Sequence, residues 1–332
     1  QKGKVMISPP LKEAIQATLD LKLQVILFQN RRGYNPYIIC GNCGFIPQCQ
    51  HCDVSLTMHK YSNKMHCHYC GSTYPKLVIC PACNSNKWLE KNFGTEKIEE
   101  QIEEDFSAYK IARMDVDSIR GKKAHDTLIQ QFEQQKLDVL VGTQMVVKGL
   151  DFDHVNLVGV LDADGLLSFT DFRVNERAFQ LMEQVSGRAG RKNQRGKVLI
   201  QAMNVKHPVL QFVKDHSYEN LYNFEIERRA EFMYPPFCRL INITLKHKEK
   251  SIVEAAADFL VHNLIQDLKS VTGPAAPVIG RVRNLYLMEL LIKLPKSGGA
   301  MKKKQVIINH INLMLSQKQF GSVHITIDVD PF

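Results

Sequence analysis

The chain has 332 residues, which is about two domains' worth at ~150 residues each. Its 44% apolar content gives each domain material for a core and excludes collagen-like, disordered and miniprotein organisations. With 43 Lys and Arg against 34 Asp and Glu, a net charge of +9 and no run of 18 apolar residues to span a membrane, a basic soluble protein of the cytoplasm is expected, with nucleic acid as the first partner to test. Residues 237–332 are the more basic part, holding 13 Lys and Arg against 7 Asp and Glu. The start at Gln1, neither an initiator Met nor a signal sequence, suggests a piece of a longer chain.

The first apolar run, 25–28, suits a buried parallel strand and leads into Asn30, Arg31, Arg32 and Gly33. A cysteine-dense stretch interrupts the pattern there. Eight of the nine cysteines fall in four Cys-x-x-Cys pairs: Cys40/Cys43, Cys49/Cys52, Cys67/Cys70 and Cys80/Cys83. In a chain without secretory features such pairs favour metal over structural disulfides, and eight thiolates divide into two tetrahedral zinc sites. The middle pairs are 14 residues apart, long enough to face each other across a hairpin, whereas only five residues separate Cys43 from Cys49. A nested arrangement is therefore expected, with Cys49, Cys52, Cys67 and Cys70 inside and Cys40, Cys43, Cys80 and Cys83 outside. Reduced thiols in a plain core would need apolar neighbours, and the intervening residues (Gln48, Gln50, Asp53, Lys60, Asn63) are polar. Iron held by facing knuckles is the redox alternative. His51, His59, His66 and His68 are expected beside the sites or at the surface. Cys238, alone next to Phe237, reads as a small buried hydrophobe.

Beyond the cysteines, Gly94 and Thr95 precede a helical pattern of Ile98, Ile102 and Phe106, where a helix N-terminus suits a backbone phosphate; a plain N-cap is the simpler role for Thr95. Strand 111–114, helix 124–135, strands 139–142, 155–161 and 197–201 and a helix over 175–189 follow, an α/β doubly wound domain with the cysteine segment inserted. Two strand-end motifs stand out. One runs through Gly142, Thr143, Gln144, Lys148, Gly149 and Asp151; the other, Gln184 to Arg191, sets Arg188 and Arg191 three residues apart near a helix end among glycines. Two guanidiniums so placed can clamp a triphosphate, against the plainer reading of a solvated helix end. No Gly-x-x-x-x-Gly-Lys-[Ser/Thr] loop exists, since Val, Lys and Val follow the Gly-Lys pairs beginning at Gly3, Gly121 and Gly196, and no Asp-Glu dipeptide is present to hold Mg²⁺.

The last third opens with a charged helix over 218–232, broken by Tyr234-Pro-Pro-Phe237. Strand 239–246, helix 251–268, strands 271–279 and 285–294, helix 301–315 and strand 323–329 give a βαββαβ order, expected to form an α+β ferredoxin-like domain. Lys302, Lys303 and Lys304 with Arg281, Arg283 and Lys296 make a basic face, for DNA or simply for solvent.

Taken together, Phe28-Gln-Asn-Arg-Arg-Gly-Tyr34, the four cysteine pairs, Gly142-Thr-Gln-Met145, Leu161-Asp-Ala-Asp164, Asp171-Phe-Arg173, the Gly-Arg-Ala-Gly-Arg run, Tyr234-Pro-Pro-Phe237 and Ile327-Asp-Val-Asp-Pro331 closely resemble the primosomal protein N′ (PriA) family of superfamily-two DNA helicases, over essentially the whole chain. The resemblance implies a second RecA-like helicase lobe at 1–39 and 84–232, a two-zinc insertion at 40–83 and a C-terminal α+β domain at 233–332. It implies that Gln184, Arg188 and Arg191 face the nucleotide γ-phosphate, that Gly149 and Asp151 approach the nucleotide, and that Gly94, Thr95, Thr143, Gln144, Lys148, Lys302 and Lys303 contact DNA. The first lobe would bring the phosphate loop, so ATP and Mg²⁺ belong to a longer protein and this stretch alone is expected to be inactive. Implied partners are branched DNA at stalled or collapsed forks, single-stranded DNA-binding protein and other primosome and helicase-loading proteins, with no membrane. The alternative is a zinc-ribbon DNA-binding or scaffold module without a motor.

Overall fold

The computed structural model describes residues 7–29, 37–59, 64–91, 95–115, 122–146, 152–168, 171–190, 196–296 and 300–331. Two compact units divide the chain, residues 1–36 with 92–223 and residues 37–91 with 224–332.

In the first unit, five described strands lie in the spatial order Lys197–Ile200, Val155–Val160, Gln24–Phe28, Val139–Gly142 and Ile111–Met114. All four pairings are parallel, with Val25 opposite both Val139 and Leu157. The central strand is buried along its whole length, as its unbroken apolar run requires of a strand covered on both faces. Side chains alternate between two cores. Ile26, Phe28, Leu140 and Val158 face Phe132 of helix Lys122–Glu133 and Ala178, Phe179 and Met182 of helix Val174–Ser186. Val25, Leu27, Val139, Val141 and Leu157 face Leu11 and Ile15 of helix Pro9–Asp20 and Ile98 and Ile102 of helix Thr95–Asp105. Phe132 and Phe152 meet edge to face with centroids 4.8 Å apart. This is the doubly wound α/β lobe expected from the alternating pattern.

Among the described residues, three α-helices fall outside the expected set: Pro9–Asp20, Ala163–Leu167 and Pro208–Lys214. The helix expected over 175–189 ends at Ser186, because Gly187 takes over the last turn, its N–H donating to the Glu183 carbonyl. Arg188 therefore lies in the turn beyond the helix, its N–H donating to the Val185 carbonyl.

In the second unit, the cysteine segment forms an antiparallel sheet in the order Thr73–Pro75, Lys64–His66, Thr57–His59, Tyr37–Cys40 and Trp88–Lys91. Its core joins Ile38, Leu56 and Met65 to Cys49, Cys52 and Cys67. The C-terminal segment runs strand Cys238–His247, helix Lys250–Asp267, strands Val271–Ala275 and Leu285–Pro295, helix Ala300–Leu315 and strand His324–Val329. The strands lie antiparallel in the order Val271–Ala275, Leu285–Pro295, Cys238–His247, His324–Val329. Ile243, Leu245, Leu290 and Ile292 pack on Ala256, Leu260 and Leu264 of one helix and Ile307 and Met314 of the other. The strand expected over 271–279 stops at Ala275, since Gly273 at φ 109° and Pro274, which has no N–H for the ladder, break its register against the neighbouring strand. A two-residue strand, Arg281–Val282, pairs with Leu285 and Tyr286 and lies outside the expected set. Cys238 is buried, its thiol donating to the Met233 carbonyl at 2.9 Å, and burial raises its pKa.

Candidate metal centre and motor-lobe motifs

The eight paired cysteines gather into two groups of four, Cys40/Cys43/Cys80/Cys83 and Cys49/Cys52/Cys67/Cys70, each with all sulfurs within 4.8 Å of one another. Sulfur separations of 3.5 Å for Cys40–Cys83 and 3.6 Å for Cys43–Cys80 and Cys49–Cys70 come close to the ~3.8 Å edge of a tetrahedron with zinc–sulfur bonds of ~2.3 Å. The donor set and the spacing fit zinc.

Local sequence explains the geometry. In three of the four pairs the residue after the second cysteine turns left-handed, Gly44 at φ 77°, Gly71 at φ 80° and Asn84 at φ 57°. Gly and Asn tolerate this region best. The turn returns each residue's N–H to the carbonyl of the first cysteine at 2.9 Å. It thereby brings both sulfurs of the pair to one side.

The surroundings divide the thiols. The Cys43 backbone N–H holds the Cys40 thiol down at about 6, and the Ser72 hydroxyl does the same for Cys70. Burial pushes Cys67 up to about 12. The Tyr74 hydroxyl lies 3.3 Å from Cys49 Sγ and accepts from the Gln50 N–H, tying the inner group to its neighbouring strand.

In the lobe, Thr143 and Gln144 follow strand Val139–Gly142 at its C-terminal end, where a short 3₁₀ turn, Gln144–Val146, begins. A Cβ at Gly142 would sit 2.4 Å from Val146 Cγ1 and 2.8 Å from the Met114 carbonyl oxygen, so the motif needs glycine there. Thr95 opens its helix and is buried, and its hydroxyl donates to Asp115, itself buried at the C-terminal end of strand Ile111–Met114. Arg113 reaches Asp115 at 3.4 Å and Glu99 at 3.1 Å. The sequence reading missed Asp115, Arg113 and Glu99, although a carboxylate directly after a parallel strand was a usable signal, because ligand sites in such sheets gather at the strands' carboxyl ends.

Gln184 is exposed on helix Val174–Ser186 and Arg188 is half-buried just past it. Gly190 donates its N–H to the carbonyl of Val155, the first residue of its strand. The arginine motif is therefore anchored at the amino end of the sheet, opposite Thr95, Thr143 and Gln144. Gly94, Lys148, Gly149, Asp151 and Arg191 lie outside the described residues. On helix Ala300–Leu315, Lys302 is exposed and Lys303 half-buried, while Arg281 is committed to Asp53 through an ion pair of 3.0 Å.

Comparisons with known proteins bear on this arrangement. The model of the PriA DNA helicase Cys-rich region (CRR) domain matches residues 49–75, the helicase conserved C-terminal domain 77–193, and the primosomal protein N C-terminal domain 230–332. Replication restart protein PriA of Bacillus subtilis is 40% identical over 98% of this chain and 41% of its own length. The chain belongs to the PriA family. PriA of Synechocystis is 36% identical over all of this chain and 40% of its own length, and that of Treponema pallidum 36% identical over 99% and 50%. The chain thus spans about half or less of the PriA relatives it matches. The Cys-rich match contains the whole inner cysteine group, and the outer group brackets it in the sequence.

Proposed function

We propose that this chain supplies the second motor lobe, zinc module and C-terminal domain of an ATP-dependent DNA helicase that recognises stalled or collapsed replication forks and restarts replication by primosome assembly. The observation that carries this reading is the insertion of a two-site Cys₄ module into a parallel motor-type sheet, between strand Gln24–Phe28 and helix Thr95–Asp105, in a chain matched along its length by PriA relatives.

In this reading each cysteine group holds one zinc ion, which crosslinks a small module. Gln184, Arg188 and Arg191 face the γ-phosphate of ATP held by a first lobe that brings the phosphate loop and Mg²⁺. The guanidiniums stabilise charge that develops on the transferring phosphoryl group. Gly149 and Asp151 lie near the nucleotide. Thr143, Gln144, Lys148 and the Gly94–Thr95 turn lie along DNA at the opposite end of the sheet; since the Thr95 side chain is spent on Asp115, its contribution is a backbone N–H at the helix start. Lys302 and Lys303 add phosphate contacts. Fork DNA, single-stranded DNA-binding protein and helicase-loading proteins are its partners, in the cytoplasm.

The test is Arg188→Ala or Arg191→Ala in the protein joined to its first lobe, with DNA-stimulated ATPase measured beside fork-binding titrations at one fixed salt concentration. Loss of an arginine finger costs on the order of 10³-fold in turnover. DNA affinity is spread over many phosphates and should hold. Near-normal turnover with much weaker fork binding would make these arginines DNA ligands and overturn the assignment.

A further inference from the structure

The Cys49/Cys52 pair differs from the other three. Asp53 stands where they have Gly44, Gly71 and Asn84, and it is absent from the residues with positive φ. Its N–H does not return to the first cysteine of the pair. It donates instead to the carbonyl of Arg281, 228 residues away in the C-terminal domain, at 2.9 Å.

The rest of that short hairpin continues the contact. Arg283 donates its backbone N–H to Cys52 Sγ at 3.3 Å, and the Asn284 N–H donates to the His51 carbonyl at 2.8 Å. The Asn284 side chain meets His51 Nδ1 at 3.1 Å, the Arg281 guanidinium pairs with Asp53 at 3.0 Å, and Val282 packs on the inner cysteine core. The hairpin tip is unusual in itself. Arg283 and Asn284 sit at φ 52° and 62°, the two positive values that a type I′ turn requires and that Asn-Gly normally supplies. An arginine in that conformation is unfavourable locally, and the hydrogen bonds to the knuckle offset it.

We infer that the C-terminal domain is part of the inner metal site. The hairpin backbone replaces the turn that Asp53 does not make and donates to the Cys52 sulfur. Metal held by this group and the seated hairpin therefore stabilise each other, while the outer group, whose two pairs each close their own turn, is independent of the hairpin. The inference rests on the Cys₄ zinc reading. A donor to a ligating sulfur orients it and tunes its charge, and such outer contacts are each worth 10–100-fold in metal affinity. The coupling is reciprocal, because a metal that binds only the seated form favours the seated form.

The experiment uses the whole chain. Zinc content is measured first, and then the time course of zinc release to excess chelator. Arg281→Ala with Asn284→Gly removes the ion pair and the side-chain contact to His51 Nδ1 while leaving the backbone hydrogen bonds and a turn that glycine accommodates. One of the two zinc ions should leave about tenfold faster, with the other unchanged. Adding Asp53→Gly to that background lets the knuckle close its own turn and should return the fast phase toward the wild-type rate, a rescue that general loosening of the fold would not give. Reciprocally, Cys67→Ser with Cys70→Ser should speed amide exchange at 281–285 while strand Cys238–His247 stays protected, and Cys80→Ser with Cys83→Ser should leave 281–285 as in the parent. Two zinc ions released at wild-type rates from the hairpin variant, both released faster together, or no exchange response at 281–285 would overturn the inference alone. Fewer than two zinc ions in the parent chain would overturn the zinc reading beneath it.

Discussion

Gly142 and Gly187 lie within the two strand-end motifs, and the structure assigns different outcomes to the same substitution at each. At Gly142 an added methyl group would lie 2.4 Å from Val146 Cγ1 and 2.8 Å from the Met114 carbonyl oxygen, where ordinary contacts begin near 3.4 Å. Neither neighbour can yield easily: Val146 is wholly buried in the lobe core, and the carbonyl belongs to the adjacent strand and accepts the Thr143 N–H. Overpacking of this kind costs about 1–3 kcal/mol. A lobe of this size loses about 2–4 °C in melting temperature per kcal/mol, so Gly142→Ala should lower the lobe's transition by roughly 2–12 °C. At Gly187 the backbone is right-handed helical and the added carbon would lie 3.4 Å from the Glu183 carbonyl oxygen, an ordinary contact. There Gly→Ala should be neutral or stabilising by about 0.4–1 kcal/mol, because alanine restricts the unfolded chain. Calorimetric melting of parent and both variants in the same zinc-containing buffer decides. An unchanged transition for Gly142→Ala, or a larger loss at Gly187 than at Gly142, would refute the packing argument.

The purified chain should carry two zinc ions, measured as metal per protein mass; a ratio near one would contradict two Cys₄ sites. Cys67→Ser should remove one of them and open the inner ribbon to protease while the parallel sheet stays folded on its own two cores, and simultaneous loss of both units would argue against that independence. Native chain at pH 8 should resist thiol alkylation, and chelation should release eight reactive cysteines ahead of Cys238, whose burial raises its pKa and so lowers its thiolate fraction at that pH; early labelling of Cys238 would count against its buried placement. The chain alone, with DNA and MgATP, should show no turnover, since no phosphate loop is present in its sequence, and turnover that persists in Arg188→Ala would reveal a nucleotide site elsewhere.

The sequence made the lobe readable where burial leaves a plain mark. Runs such as Val139–Gly142 and Val155–Val160 are apolar because both faces are covered, and a strand buried on both faces tolerates nothing else. The nesting of the cysteine groups was readable for a similar reason, since five residues between Cys43 and Cys49 leave little room for those pairs to face each other while 14 between Cys52 and Cys67 form a hairpin. Helix Pro9–Asp20 was not readable by pattern because Pro9-Pro10 looks like a breaker; both prolines occupy the first turn, where no N–H is needed. Thr95 and Asp115, 20 residues apart, are ordinary polar residues until the sheet sets the end of one strand beside the start of a helix. The hairpin on the inner knuckle was hidden more deeply. Its tip is Arg-Asn rather than Asn-Gly, and its partner is more than 200 residues earlier in the chain.

The placement of the motifs explains why the two activities proposed for the lobe can be separated by mutation. The turn carrying Arg188 is tied by Gly190 to the amino end of strand Val155–Val160, whereas Thr143 and the Thr95–Asp115 pair sit at the carboxyl ends of strands Val139–Gly142 and Ile111–Met114. Since all these strands are parallel, the two groups occupy opposite edges of one rigid sheet. A strand of four to six residues at 3.3 Å per residue holds those edges roughly 13–20 Å apart, too far for one ligand atom to touch both. In the proposed reading, nucleotide chemistry at one edge would reach DNA at the other through movement of the lobe as a body, the coupling a translocating motor requires. A binding module with a single nucleic-acid face would have no use for an arginine such as Arg188 on the far edge.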